Sequence, residues 1–171
     1  MRHRVWVFIA GWCIFQACPS LVHATPIKVN DDRFRPFREY TTSEIRTGNG
    51  SGLGSQQLVG RIDRRTGALT TLLQVQIAYL GTHKRSYENA RNNRAEPLRL
   101  NSVQRHAKCH PKNGCVYSET FLVIVPETEL RQSPGAGYQV KAFARNGPEV
   151  LISIPKDHIA SLFARIDADR R

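Results

Sequence analysis

The chain has 171 residues, with 25 Lys and Arg against 14 Asp and Glu and a formal net charge of +11. That is one domain's worth of chain, long enough to bury its own core, so neither disulfides nor a metal is needed to make it fold. The charge points to anionic partners and carries no information about fold.

The first 24 residues have the layout of a secretory signal. Arg2 and Arg4 precede an apolar run from Val5 to Ala17, and small residues follow at Val22 and Ala24. The run is about 13 residues, short of the ~20 that a spanning helix needs, so no transmembrane helix is expected in the mature chain. Cleavage after Ala24 is expected, giving a periplasmic or secreted protein. The alternative is a lipoprotein anchored at Cys18, although Phe15 and Gln16 depart from the usual lipidation context. Two of the basic residues leave with the signal, so residues 25–171 carry 23 basic and 14 acidic side chains, a formal +9.

Residues 25–38 show no clear period and read as an extended basic arm, followed by a single β-rich domain over 39–168. Glu39 to Thr47 is a first strand candidate, and the glycine-rich run from Gly48 to Gly54 reads as a flexible loop. Leu58 to Asp63 is a short strand, and Arg64 to Gly67 is a turn. Ala68 to Leu80 is the clearest strand, with Leu69, Thr71, Leu73, Val75, Ile77 and Tyr79 on one face. His83 to Arg94 is polar and reads as a loop or irregular edge anchored by Tyr87.

Leu98 to Arg105 and Val116 to Val125 are strands flanking a cysteine loop. Glu127 to Arg131 is one helical turn. Tyr138 to Arg145 and Glu149 to Ile154 form a second hairpin around Asn146, Gly147 and Pro148. From Lys156 the period changes, and Ile159, Leu162, Phe163 and Ile166 fall on one face of a helix that starts after Pro155. The series predicts a mainly β fold, an antiparallel β-sandwich or curled sheet with a C-terminal amphipathic helix.

Cys13 and Cys18 fall in the signal, which leaves Cys109 and Cys115 as an even pair in an oxidising compartment, the pattern of one disulfide. Pro111, Asn113 and Gly114 suit the turn between them. The alternative is a zinc site built from His106, Cys109, His110 and Cys115, whose residue types fit but whose spacing matches no common finger. The glycine run lacks the Lys-Ser or Lys-Thr of a phosphate loop, and no serine among Ser51, Ser55, Ser86, Ser118 and Ser161 sits in a nucleophile elbow. Glu119, Glu127 and Glu149 could supply paired carboxylates, on composition alone. His158 falls off the apolar stripe and is expected at the surface. Asn49, Gly50 and Ser51 match a glycosylation sequon, meaningful only in a eukaryotic secretory route. No catalytic residue, metal or cofactor is assigned, and the chain is not expected to be an enzyme.

Three short basic groups are the candidates for binding anions: Arg33, Arg35 and Arg38; Arg61, Arg64 and Arg65; and Lys84 with Arg85. The first interleaves arginine with Phe34 and Phe37, which suits stacking or docking on a charged surface.

Four stretches resemble a loose group of small exported proteins of Gram-negative bacteria with no established activity. They are Leu58 to Leu69 (LVGRIDRRTGAL), the long strand ending at Ala78 and Tyr79, the cysteine pair before Tyr117, Ser118 and Glu119, and Val150 to Pro155 (VLISIP) with its terminal helix. The likeness spans Leu58 to Asp167. It implies an envelope protein with a β-rich fold and transfers no catalytic residue. The function expected is a non-catalytic exported module that binds an envelope partner protein or polymer. The alternatives are a salt-sensitive binder of anionic polymers or membrane surfaces, and an unrecognised hydrolase or zinc protein. Nucleic acid is not an expected partner.

Overall fold

The computed structural model describes residues 25–49, 52–110, 114–133 and 135–171. The signal segment with Cys18, the Gly50–Ser51 part of the glycine run and sequon, and the tip residues Pro111, Lys112 and Asn113 lie outside the described residues.

Two antiparallel sheets face each other. Eleven strands are described: β1 (Ile27–Asn30), β2 (Phe37–Thr42), β3 (Ile45–Asn49), β4 (Gly52–Asp63), β5 (Leu69–Gly81), β6 (Tyr87–Asn92), β7 (Pro97–Leu98), β8 (Leu100–His110), β9 (Gly114–Ile124), β10 (Tyr138–Ala144) and β11 (Val150–Ile154). Two helices, α1 (Glu127–Arg131) and α2 (Lys156–Asp169), interrupt and close the series. The larger sheet runs β1-β2-β4-β5-β9-β8, with β3 also pairing β4, and the smaller runs β11-β10-β6-β7. The fold is thus the mainly β, two-sheet architecture with a terminal helix that the periodicity predicts.

β5 is the spine. Its alternation buries Leu73, Val75, Ile77 and Tyr79 on the inner face, against Phe121 and Val123 of β9 and against the smaller sheet's Tyr87, Val140, Ala142 and Ile152. The turn before it forms because Asp63 Oδ1 accepts from the Arg65 and Thr66 amides at 3.0 and 2.7 Å, while Gly67 takes φ +71°. That left-handed backbone is open to glycine without strain. The helix buries Ile159, Leu162, Phe163 and Ile166, the predicted stripe, and lies against β1, β2 and β4. Sheet and helix together therefore form the layer that covers the larger sheet.

Three segments differ from the sequence reading. Within the stretch read as an arm, Ile27–Asn30 pairs with β2 as an edge strand. The glycine run is strand on both sides of its tip, with Gly48 opposite Leu53 and Gly54 opposite Thr47. Glycine is a weak strand former, but here partner backbones on both sides of β4 supply the ladder bonds. The polar segment read as irregular contains β6, which pairs with both β10 and β7.

Candidate functional site

The three basic groups do not converge. β2 pairs with β4, which brings the first two together: Glu39 faces Arg61, and the Arg64 amide donates to the Pro36 carbonyl at 2.9 Å. Lys84 and Arg85 follow the far end of β5, about 40 Å away at the rise of an extended strand. Within the joined cluster the arginines meet carboxylates. Arg38 lies 2.7 Å from Asp31, Arg61 2.7 Å from Glu39, and Arg35 3.7 Å from Asp32, while Arg64 also reaches Asp31. The hydrogen bond from Arg38, reinforced by Arg64, holds the Asp31 carboxyl below the usual carboxylate range. Arg33 lies 5.3 Å over the ring of Phe34 and Arg65 points from the turn; both are exposed. Most of this cluster's charge is answered within the cluster.

Arg85 is not a surface cation. Its guanidinium sits 4.0 Å over the Tyr79 ring, and its amide donates to the Tyr79 hydroxyl at 2.7 Å. Tyr79 donates in turn to Glu119, a carboxylate 3 % exposed. Glu119 also accepts from the Ser86 and Tyr87 amides at 3.1 and 3.4 Å and faces Arg105 of β8 at 3.7 Å. Burial, then the hydrogen bond to Glu119, pushes the Tyr79 hydroxyl up to about 12. One carboxylate thus fixes three elements: the end of β5, the crossover into β6, and the edge strand β8. Ser86 adopts φ 56°, an unusual backbone for a residue with a side chain, and the two amide bonds to Glu119 hold the crossover there. Sequence reasoning missed this node. A Glu at an inner-face position of a strand, in phase with Tyr117 and Phe121, is the signal that could have exposed it.

Cys109 and Cys115 are joined in a disulfide between directly opposed residues of β8 and β9. Both sulfurs are committed, so neither is free as a thiolate ligand, and among the described residues no group of three His, Cys, Asp or Glu is placed to hold a metal. His106 is exposed on β8. Glu127 pairs with Arg131 at 2.7 Å and Glu149 with Lys141, on different elements from Glu119, so the three carboxylates do not form a pair across one cleft. His158 is half-buried rather than exposed. Its Nδ1 lies 3.4 Å from Thr25 Oγ1 and its Nε2 3.3 Å from Ser43 Oγ, and burial holds its pKa below the ordinary histidine value. Two hydroxyls bracket a neutral ring, which ties the start of the described chain and the corner after β2 to the helix.

The β8–β9 hairpin is different in kind. β8 is a terminal strand of the larger sheet, and residues 101–110 are all exposed. From Pro97 to Ser118 the sequence has no Asp or Glu, but holds Arg99, Arg105, Lys108, Lys112, His106 and His110. On its outer face Leu80, Val116 and Lys108 form one cross-strand row and Ala78, Ser118 and His106 the next. Leu80 is 71 % and Val116 47 % exposed. The hairpin is thus a basic strand with an apolar shelf beside it, braced at its base by Glu119 and at its tip by the disulfide. No helix of the described residues is long and apolar enough to cross a membrane. No protein-family model matches this chain, and neither a curated protein nor a solved structure does.

Proposed function

We propose that this chain is an exported, non-catalytic binding module of the periplasm or cell exterior, and that the β8–β9 hairpin is its working surface. The observation that carries the reading is the hairpin itself: an exposed terminal strand in a 22-residue stretch without a single carboxylate, Pro97 to Ser118. In the Asp31 cluster Arg38, Arg35 and Arg64 are matched to acids, whereas the hairpin's own sequence supplies none and Arg105 meets Glu119 at the base. Export is supported by the layout of the first 24 residues and by the disulfide, which is consistent with an oxidising compartment. The likeness to small exported Gram-negative proteins fits the same reading. A binding role rather than chemistry is supported by how Glu119, Glu127 and Glu149 are spent on structural partners.

The test is a set of single substitutions scored for the cellular role. Lys108→Glu should abolish it, and alanine at His83 or His158, both outside the hairpin, should leave it intact. Loss of the role in either of these two variants without unfolding of the protein would overturn the non-catalytic reading. Intact mass of the purified protein addresses the address. A chain beginning at Thr25 supports a diffusible module, and a lipid-modified chain beginning at Cys18 would make it an anchored one.

The second reading, a salt-sensitive binder of anionic polymers or membrane surfaces, is favoured at the hairpin rather than at Arg33 to Arg65. The 22 residues from Pro97 to Ser118 contain no acid, whereas Arg38, Arg61 and Arg64 of the other cluster are paired. Retention on an acidic polymer should fall steeply with salt if this holds.

A further inference from the structure

Resting on the reading of the hairpin as the working surface, we infer that the free edge of β8 receives an extended acidic segment of a partner protein as an added β-strand. Among the described residues β8 bonds to β9 on one side and ends the sheet on the other. An open strand edge presents a row of unpaired amides and carbonyls, which is a template for another strand. A bulge between Ser102 and Gln104 breaks the register near the base, and from Gln104 to His110 the pairing with β9 is regular. The part from Gln104 to Cys109 spans about 17 Å, enough for five or six residues of an incoming strand.

Charge selects the occupant. Side chains alternate along β8, so Arg105 stands on the inner face and His106 and Lys108 flank it on the outer one. An added strand therefore meets Lys108 on the outer face, and on the inner one Arg105, whose guanidinium also faces Glu119. A second copy of this chain would set Arg105 and Lys108 against their own kind, and like charges directly opposed destabilise strand pairing. The same lysine and arginine that guard the edge against self-association favour aspartate and glutamate across it. The exposed Val103 at the bulge offers an apolar contact at one end of the incoming segment.

The test uses the full disulfide-bonded chain and a fluorescent octapeptide of alternating glutamate and valine, capped at both ends. Two isomers carry N-methyl groups, one on the odd residues and one on the even. Each isomer blocks one edge of the peptide strand and leaves the charge unchanged. The expected result is that the parent binds and one isomer loses at least about tenfold in affinity while the other does not. Hydrogen exchange of β8 amides between Asn101 and Cys109 should slow with the parent peptide, and Lys108→Glu should weaken binding with an unchanged melting curve. Equal binding of parent and both isomers, or unprotected β8 amides, overturns strand addition and leaves a surface that works by charge. Binding of an acidic polysaccharide but not the peptide, lost in Lys108→Glu, also overturns strand addition while keeping the hairpin as the site. Failure of every acidic probe to bind, with Lys108→Glu indistinguishable from the parent chain, removes both.

Discussion

Gly60 of β4 and Ile166 of α2 meet where only hydrogen fits: a β-carbon on Gly60 would stand 2.7 Å from Ile166 Cδ1. Ile166 is fully buried, so it has little room to yield. The helix reaches the sheet at this distance because residue 60 has no side chain.

Gly60→Val should therefore destabilise the fold by roughly 1–3 kcal/mol, the cost of overpacking a filled core. Urea unfolding measures it. Adding Ile166→Val, which removes the Cδ1 methyl, should recover part of the loss in the double variant. Equal effects of Gly60→Val in both backgrounds would show that this contact is not the cause.

Glu119 sets a second prediction. Glu119→Ala strips the charge-assisted bonds from two buried amides and Tyr79, and should cost about 3 kcal/mol, against about 1 for Tyr79→Phe. Glu119→Gln tests the charge alone by ultraviolet titration of tyrosine. Burial is the larger cause of the raised Tyr79 pKa, so in Glu119→Gln it should drop from about 12 yet stay above the ordinary 10.0. A Tyr79 titration that did not move would exclude Glu119 as a contributor.

The His158 clasp gives a pH dependence. Its folded pKa lies below the unfolded value of 6.5, so the unfolded chain takes up the proton first. Stability is then full above pH 6.5 and falls as pH drops from there toward the folded pKa, levelling off beneath it. Urea midpoints between pH 8 and 5 should show this slope, and His158→Gln should flatten it. Asp31 and Asp63, held below the usual carboxylate range, add their own losses only at more acidic pH.

Removing the disulfide should act locally. Cys109 and Cys115 close a short loop at the end of an exposed hairpin, so replacing both with serine should cost no more than about 2–3 kcal/mol. Amide exchange should quicken in β8 and the first half of β9 and stay unchanged in β5. Faster exchange throughout the core would mean that the staple supports the whole fold.

The parts legible in the sequence were those whose signal is local. β5 alternates over thirteen residues, α2 repeats its stripe at helical spacing, and Asp63, Thr66 and Gly67 specify their turn within five positions. β6 was illegible because its buried residues are Tyr87, Ala90 and Asn92, one large apolar side chain, one small and one amide. Its strand character comes from partners on both sides rather than from its own side chains. The pairing within the arginine groups was hidden for the opposite reason. Clustering along the chain is visible, but Asp31 reaches Arg38 only when β1 folds back on β2, and Glu39 reaches Arg61 only when β2 is laid beside β4. Glu119 binds groups 32 to 40 residues away in sequence, and no window of local pattern spans that.

The backbone amide of Thr25 donates to Ser161 Oγ, 136 residues further on, and Tyr40 of β2 donates to Asp169 at the end of α2. Among the described elements, β1 and β2 are roofed by a helix that follows them by more than a hundred residues. A chain that has left the ribosome only up to Pro155 has both sheets but not the lid over β1 and β2, whose inner face waits in the open. The fourteen residues of α2 thus time the closing of the molecule, and a chain cut short before them keeps its earliest strands uncovered however completely the rest has paired.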